Sequence, residues 1–125
     1  MTVANQNIGF DPASPIVRGT DQTVIATVTA ANVGDWLAAS AALYEWYADD
    51  PTDAGSAQTP LLSVSLGSMT LAAAGGNAFT VTIPIADTQT AALDPTVLYH
   101  QLRMVAQSGL IGIAMTGAAK LTAEG

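Results

Sequence analysis

Residues 79–105, FTVTIPIADTQTAALDPTVLYHQLRMV, decide the fold. In the first part of this stretch, apolar side chains occupy every second position from Phe79 to Ile85, and Thr80 and Thr82 lie between them. Successive side chains of a strand point to opposite faces, so this alternation is typical of a half-buried strand. The pattern therefore predicts a strand from Phe79 to Ile85.

A short helical turn and a second strand complete the stretch. Asp87 is a good N-cap for a turn through Thr88–Leu93, which Asp94-Pro95 then ends. The run Val97–Val105 predicts the second strand. Two strands joined by a capped turn are how a β-sandwich passes from one sheet to the other, so the sequence predicts that architecture.

The chain before this stretch has further strand patterns. In Gln22–Ala30, small apolar residues alternate with threonine and isoleucine, which predicts a strand. Ala41–Ala48 predicts another strand. Glu45 belongs to its solvent side, so Trp46, on the opposite side, is expected in the core.

Shorter strands and turns fill the rest of the chain. They are strands at Leu61–Leu66 and Ser68–Leu71, a turn at Gly75-Gly76, and one or two terminal strands in Leu110–Thr122 with bulges at Gly112 and Gly117. No long segment has helical periodicity, and turn signals recur at intervals of about 8–12 residues. We predict an all-β antiparallel sandwich of about seven strands, with a short helical turn between the last strands.

The length of 125 residues predicts one globular domain. We expect residues 1–15 to form an N-terminal arm or edge strand, and residues 16–125 a single β-sandwich domain. The N-terminus lacks the basic and apolar regions of a signal peptide, and the longest apolar run, Gly109–Ala119, is shorter than the roughly 20 residues that span a bilayer. We therefore expect a soluble cytoplasmic product.

Charge and composition narrow the classes of partner. The net charge is −7, and the basic residues Arg18, Arg103 and Lys120 are scattered, so neither nucleic acid nor an anionic membrane is an expected partner. Charged residues make up 10% of the chain, well below the roughly 25% of an average soluble domain. The absence of cysteine excludes disulfides and thiolate metal sites. Such a weakly charged, threonine-rich surface suits a protein packed among partners.

The residues that carry catalytic chemistry are sparse. His100 is the only histidine, and it lies inside a predicted strand rather than on a loop, where catalytic residues concentrate. No G-x-S-x-G pattern provides a nucleophile for it. We interpret His100 as a strand residue and predict no catalytic residue, no cofactor and no enzymatic activity.

A loop between Asp49 and Pro60 concentrates acidic side chains. Carboxylates of Asp49, Asp50 and Asp53 are of the type that binds Ca²⁺ in loops. The EF-hand spacing fails because Pro51 occupies a ligand position and no glutamate follows at the right distance. A solvated acidic loop is the interpretation, and no metal site is predicted.

The remaining candidates are residues for partner contacts. Trp36 lies in a connection and forms, with Leu37, an apolar pair expected to tuck under the sandwich. Trp36 and Tyr47 are nevertheless the aromatic candidates for an interface or for a carbohydrate platform. The other candidate interface residues are Phe10 in the N-terminal arm and Asp49, Asp50 and Asp53 in the acidic loop.

Several segments together carry a resemblance to a known family. They are Ile16–Asp21 (IVRGTD), Tyr44–Ala48 (YEWYA), Phe79–Ile83 with Asp87-Thr88 and Leu93-Asp94-Pro95, Leu98–Met104 (LYHQLRM), and Gly109–Leu121. With them, residues 16–122 resemble the small Ig-like β-sandwich domains of tailed-phage virion proteins, such as the N-terminal domain of baseplate upper proteins and similar tail or head modules.

The resemblance implies an Ig-like sandwich and a non-enzymatic structural protein of a tailed-phage virion, an assembly or adaptor module of the tail or baseplate. A capsid decoration protein and a carbohydrate- or ligand-binding Ig-like module are the alternatives. The partners it implies are other virion proteins and copies of the chain itself, in a homo-oligomer or multi-copy assembly. The location it implies is the virion, after synthesis in the host cytoplasm.

Overall fold

The computed structural model describes residues 4–5, 16–49, 59–93 and 97–122. Their strands are β1 (Ala4–Asn5), β2 (Ile16–Val17), β3 (Gln22–Thr29), β4 (Ala41–Tyr47), β5 (Leu62–Ser65), β6 (Thr70–Gly75), β7 (Ala78–Ile85), β8 (Val97–Val105) and β9 (Ile111–Thr122). Two short helices, α1 (Val33–Leu37) and α2 (Asp87–Thr90), and a 3-10 turn at Leu66–Ser68 connect them. None of the helices in these residues is long and apolar enough to cross a membrane.

The strands form two sheets. The larger sheet has the order β1-β9-β8-β4-β5, with β2 also beside β9, and the smaller sheet has the order β3-β7-β6. Pairing is antiparallel except that β1 and β2 run parallel to β9. Two mostly antiparallel sheets with a short helix between β7 and β8 agree with the predicted all-β sandwich, which is therefore confirmed.

The predicted crossing between sheets is confirmed. Strand β7 belongs to the smaller sheet and β8 to the larger sheet, and α2 lies between them. The predicted cap is wrong by one position, because Ala86 is the N-cap and Asp87 is the first helical residue. The N–H of Ala86 donates to Oε1 of Gln89 at 2.8 Å, so a helix side chain satisfies the cap.

The turn between β2 and β3 is fastened to this crossing. The N–H of Gly19 donates to Oγ1 of the buried Thr90 at 3.0 Å, and the N–H of Asp87 donates to Oδ1 of Asp21 at 2.9 Å. Nη1 of Arg18 donates to the backbone carbonyl of Leu93, at the end of the same connection, at 3.3 Å. Gly19 has a φ of 76°, a left-handed conformation that favours glycine. Two separate parts of the sequence thus form one structural unit.

The core lies between the two sheets. Its fully buried large side chains include Tyr44, Trp46, Val28, Phe79, Val81, Ile83, Ile85, Leu102, Met104 and Met115. The expectation that Trp46 faces the core is confirmed, and so is the packed strand position of His100, whose exposure is 0%. Leu93, at the end of the crossing, is half-buried and packs at the margin of the core.

Irregularities of the sheets differ from the predicted ones. The end of the chain forms one long strand, β9, and Leu102 pairs with Met115 whereas Arg103 pairs with Ile113. Ala114 is therefore the extra residue of a bulge, and the bulges predicted at Gly112 and Gly117 are wrong. The position of a bulge depends on pairing with a distant strand, which a local glycine signal does not encode.

Candidate interaction surface

The side of the larger sheet that faces away from the core carries the most distinctive surface of the described residues. We call it the outer sheet face. Its side chains are Ala41, Leu43 and Glu45 of β4, Tyr99, Gln101, Arg103 and Val105 of β8, and Ile111, Ile113, Thr116 and Ala118 of β9. Strand alternation places these residues together, since their neighbours along each strand point into the core.

One end of the outer sheet face is apolar and open to solvent. Ile111 is 63% exposed and Leu43 is 37% exposed, although both lie inside or at the start of regular strands. Val105 pairs directly with Ile111 on one side and with Ala41 on the other, which makes an uninterrupted apolar row. Contiguous exposed apolar side chains on a sheet mark interaction sites in soluble proteins.

An arginine lies in the middle of this apolar surface. Arg103 pairs across the sheet with Leu43 on one side and with Ile113 on the other. Its side chain is exposed, and its positive charge acts on the nearby hydroxyl of Tyr47. Among the described residues, no hydrogen bond or ion pair of the guanidinium is found. A shallow depression of about 480 Å³ surrounds it, lined by Gln101, Arg103, Ile111, Gly112 and Ile113. The guanidinium is therefore available for an acceptor from outside.

A tyrosine fixes the acidic residue of the same surface. Oη of Tyr47 donates to Oε1 of Glu45 at 2.7 Å, and Tyr47 is 9% exposed. Burial, and then the hydrogen bond to Glu45 and its negative charge, raises the pKa of Tyr47 to about 12. Glu45 keeps its second carboxylate oxygen for other contacts, so the face offers one oriented anion and one cation.

A buried polar chain supports the sheet from below. Nε1–H of Trp46 donates to Oη of Tyr44 at 2.9 Å, and Oη of Tyr44 lies 2.8 Å from Nδ1 of His100. Since the tyrosine oxygen accepts from the indole, its own proton is directed to Nδ1, and we assign the neutral tautomer of His100 with its proton on Nε2. Burial raises the pKa of Tyr44 above its usual range. These hydrogen-bonded side chains hold β4 and β8 in register beneath the outer sheet face.

A second depression lies at the end of the sandwich where α2 is found. It has a volume of about 500 Å³, and its lining combines hydroxyl and amide side chains, among them Gln22, Thr23, Ser63, Ser65, Ser68 and Gln89. Its acidic residue, Asp21, already accepts the N–H of Asp87. Val64, Pro84 and Ile85 add apolar surface to this depression, and its lining has no charged group apart from that committed carboxylate.

The structure changes the role of the predicted aromatic interface residues. Trp36 is 4% exposed, so the expectation that it tucks under the sandwich is confirmed. Its ring is not presented at the surface, and its role in an interface stays a prediction. Tyr47 is nearly as buried, so its ring offers no platform, and only its hydroxyl acts at the surface through Glu45. Neither ring supports a carbohydrate site.

The other predicted interface residues lie at or beyond the limits of the structure. Asp49 is exposed and follows β4 closely. Asp50, Asp53 and Phe10 lie outside the described residues. Within the described ranges, no group of three or more histidine, aspartate or glutamate side chains is arranged to hold a metal ion.

Sequence reasoning missed the residues that now matter most, namely Leu43, Arg103 and Ile111. A signal existed in β4, because Ala41–Tyr47 has apolar residues on both sides of the strand. A strand of this kind is either covered on both faces or presents an apolar face to a partner. Because of Glu45, that whole side of the strand was predicted to face solvent.

Comparison with known proteins does not assign this surface. No model of a protein family matches the chain, and no curated protein is detectably similar to it in sequence.

Proposed function

We propose that the protein is a non-enzymatic structural protein of a tailed-phage virion, an assembly or adaptor module of the tail or baseplate. The observation that carries an assembly role is the outer sheet face, with Ile111 and Leu43 exposed around Arg103. The segments that resemble Ig-like virion domains supply the finer assignment to a phage particle.

The size of the outer sheet face suits a protein interface. Three strands at a spacing of about 4.8 Å and a length of about nine residues at 3.4 Å each give a footprint of roughly 14 by 31 Å. A standard interface buries about 800 Å² on each partner, and a corrugated surface of this footprint provides more than about half of that area. One partner protein seated on the face would therefore cover it.

Charge gives the interface its selectivity. An arginine surrounded by apolar side chains binds a carboxylate or carbonyl group strongly once the partner excludes water. Glu45, held by Tyr47, requires a donor opposite it. The proposed partner therefore carries an apolar patch with an acceptor and a donor that match Arg103 and Glu45.

Particle incorporation tests this proposal. Purified particles from the source of the sequence are expected to contain the chain by mass spectrometry, and antibody labelling is expected to locate it on the tail or baseplate. Labelling on the capsid would instead favour the decoration protein. Particles that lack the chain would overturn the proposal.

Substitutions separate the outer sheet face from the rest of the surface. Ile111→Glu is expected to lower incorporation at least about ten-fold, equivalent to about 1.4 kcal/mol, because it buries a carboxylate against an apolar partner. The matched control is Ala72→Glu, on the exposed outer side of the smaller sheet. Equal incorporation of both variants, with unchanged melting temperatures, would exclude the outer sheet face as the interface.

A further inference from the structure

The sandwich protects most of its sheet edges. Strand β5 spans only Leu62–Ser65, and Nε2 of Gln89 donates to the carbonyl of Ser63 at 3.4 Å. Strand β6 has an irregular register between Ala73 and Gly75, and β9 is flanked by β1 and β2. Short length, bulges and covering segments are the ways in which proteins prevent edge strands from pairing with other chains.

The edge formed by β3 has none of these features among the described residues. Its register with β7 is continuous from Gln22, opposite Ile85, to Thr29, opposite Ala78. The strand contains no charged residue, no proline and no glycine. Its outward side chains are exposed, including Ile25 at 58%. A long, straight, uncharged edge is a ready template for another strand.

The main-chain groups of β3 that point to this edge can be identified. The N–H of Ala30 donates to the carbonyl of Asn77 at 2.7 Å, which directs the even-numbered residues toward β7. Alternation then directs the N–H and C=O groups of Thr23, Ile25, Thr27 and Thr29 to the open edge. In the described part of the chain, no residue forms a hydrogen bond with them.

We propose that β3 pairs antiparallel with β3 of a second copy of the chain. A two-fold axis at Ala26 places Ile25 opposite Thr27 of the partner subunit and Thr23 opposite Thr29 of the partner subunit. The two smaller sheets then become one continuous sheet of six strands. In this register every outward N–H and C=O group finds a partner, giving about eight main-chain hydrogen bonds.

The properties of the strand favour a second copy over an unrelated segment. The register about Ala26 uses the full length of β3, so both chains pair completely. The absence of charge means that identical strands meet without repulsion, although the chain has a net charge of −7. Threonine–threonine and isoleucine–threonine pairs are favourable across antiparallel strands. Strand pairing alone covers less than a standard interface, so dimerisation is expected to depend on concentration.

This inference rests on the proposed assembly role, because it names a second copy as one partner in the assembly. The β3 edge and the outer sheet face belong to different sheets, so their tests are independent. A monomer in solution would overturn the β3 pairing and leave particle incorporation unaffected.

Sedimentation of the full chain gives the first test. The wild-type chain is expected to show a concentration-dependent dimer at high micromolar concentration. Thr27→Pro removes an outward N–H while the ladder to β7 is retained, and it is expected to raise the dimer dissociation constant at least about ten-fold. Thr27→Val, which keeps the N–H, is the matched control and retains the dimer. A wild-type monomer at all concentrations, or a dimer unaffected by Thr27→Pro, overturns the proposal.

Cysteine cross-linking tests the register and does not depend on a proline variant that folds. The chain has no cysteine, so single variants Ile25→Cys and Thr27→Cys each carry one thiol. Facing residues of a hydrogen-bonded pair have Cα atoms about 5.5 Å apart, within the range of a disulfide, whereas diagonal residues are about 7–8 Å apart. The mixture of the two variants is expected to form an oxidised dimer, and each variant alone is not. Equal cross-linking in all three samples overturns the register.

Discussion

The two sheets pack on the same core but differ in the surfaces that they present. The strands of the smaller sheet contain no charged residue, and their outer side is dominated by threonines such as Thr27 and Thr80. The larger sheet presents exposed apolar side chains around an arginine and a tyrosine-bound glutamate. The smaller sheet is open at an edge, whereas the larger sheet is open on a face.

This difference separates two kinds of recognition. An edge binds through main-chain groups, which any extended strand provides, so its selectivity is low. A face binds through side chains, and its selectivity comes from the position of Arg103 and Glu45. A protein with both surfaces is able to join copies of itself through one and a different partner through the other.

The largest expected effect distinguishes the two sides of β4. Trp46→Ala removes a fully buried ring and is expected to lower the free energy of unfolding by about 3–5 kcal/mol. Leu43→Ala, on the outer sheet face of the same strand, is expected to change it by about 0.5 kcal/mol or less. Urea denaturation measures both. Similar losses in the two variants would mean that the outer face is covered by the chain itself.

A smaller effect comes from the polar chain under the larger sheet, which the hydrocarbon interior of the smaller sheet lacks. Tyr44→Phe leaves Nε1–H of Trp46 and Nδ1 of His100 without this hydroxyl, and is expected to cost about 1–3 kcal/mol. Tyr99→Phe, at a half-buried outer position, is the control and should be nearly neutral. If thermal unfolding shows no difference between the two variants, the hydrogen bonds of Tyr44 with Trp46 and His100 do not stabilise the sheet.

The connection between the sheets gives the next effect. Thr90→Val keeps the shape of the side chain but removes the acceptor of the Gly19 N–H, and is expected to cost about 1–2 kcal/mol. Thr88→Val, at an exposed position of the same helix, serves as the control. Hydrogen exchange of the Gly19 amide should accelerate only in the first variant. An unchanged exchange rate of the Gly19 amide in Thr90→Val would contradict a stabilising hydrogen bond between Gly19 and Thr90.

The smallest effect concerns pH. The pKa of Tyr47 is raised from 10.0 to about 12, so the folded state favours the protonated phenol. The contribution of this group to stability is complete below pH 10 and is lost as the pH rises from 10 to 12. Wild type and Tyr47→Phe are compared by urea denaturation across this range. The wild type should lose more stability than the variant, and parallel losses would show that Tyr47 is not responsible.

Local patterns in the sequence predicted the regular parts of the fold. Alternation located β3, β4 and β7, because burial of one side of a strand determines residue type at every second position, and a run of strand-forming residues located β8. The crossing after β7 was also predicted, from an aspartate and an Asp-Pro pair. The capping residue was displaced by one position, and the first amides of the helix are satisfied from elsewhere, since Gln89 accepts the N–H of Ala86 and Asp21 accepts the N–H of Asp87.

Features that depend on distant pairing were not predictable. The bulge at Ala114 follows from the register of β8 against β9, and the burial of Trp36 follows from packing of α1 against the smaller sheet. The exposure of Leu43 and Ile111 depends on which strands adjoin them and on what covers them. Sequence alone specified that these residues are apolar but not that solvent reaches them.

The parallel pairing of β2 with β9 has a mechanical consequence. Ile16 lies beside Leu121, and both strands run in the same direction. Tension applied between the start of β2 and the end of β9 pulls the two strands past each other along their length. Their hydrogen bonds then bear the load together instead of opening one after another, so this edge resists stretching along the line that joins these two strand ends.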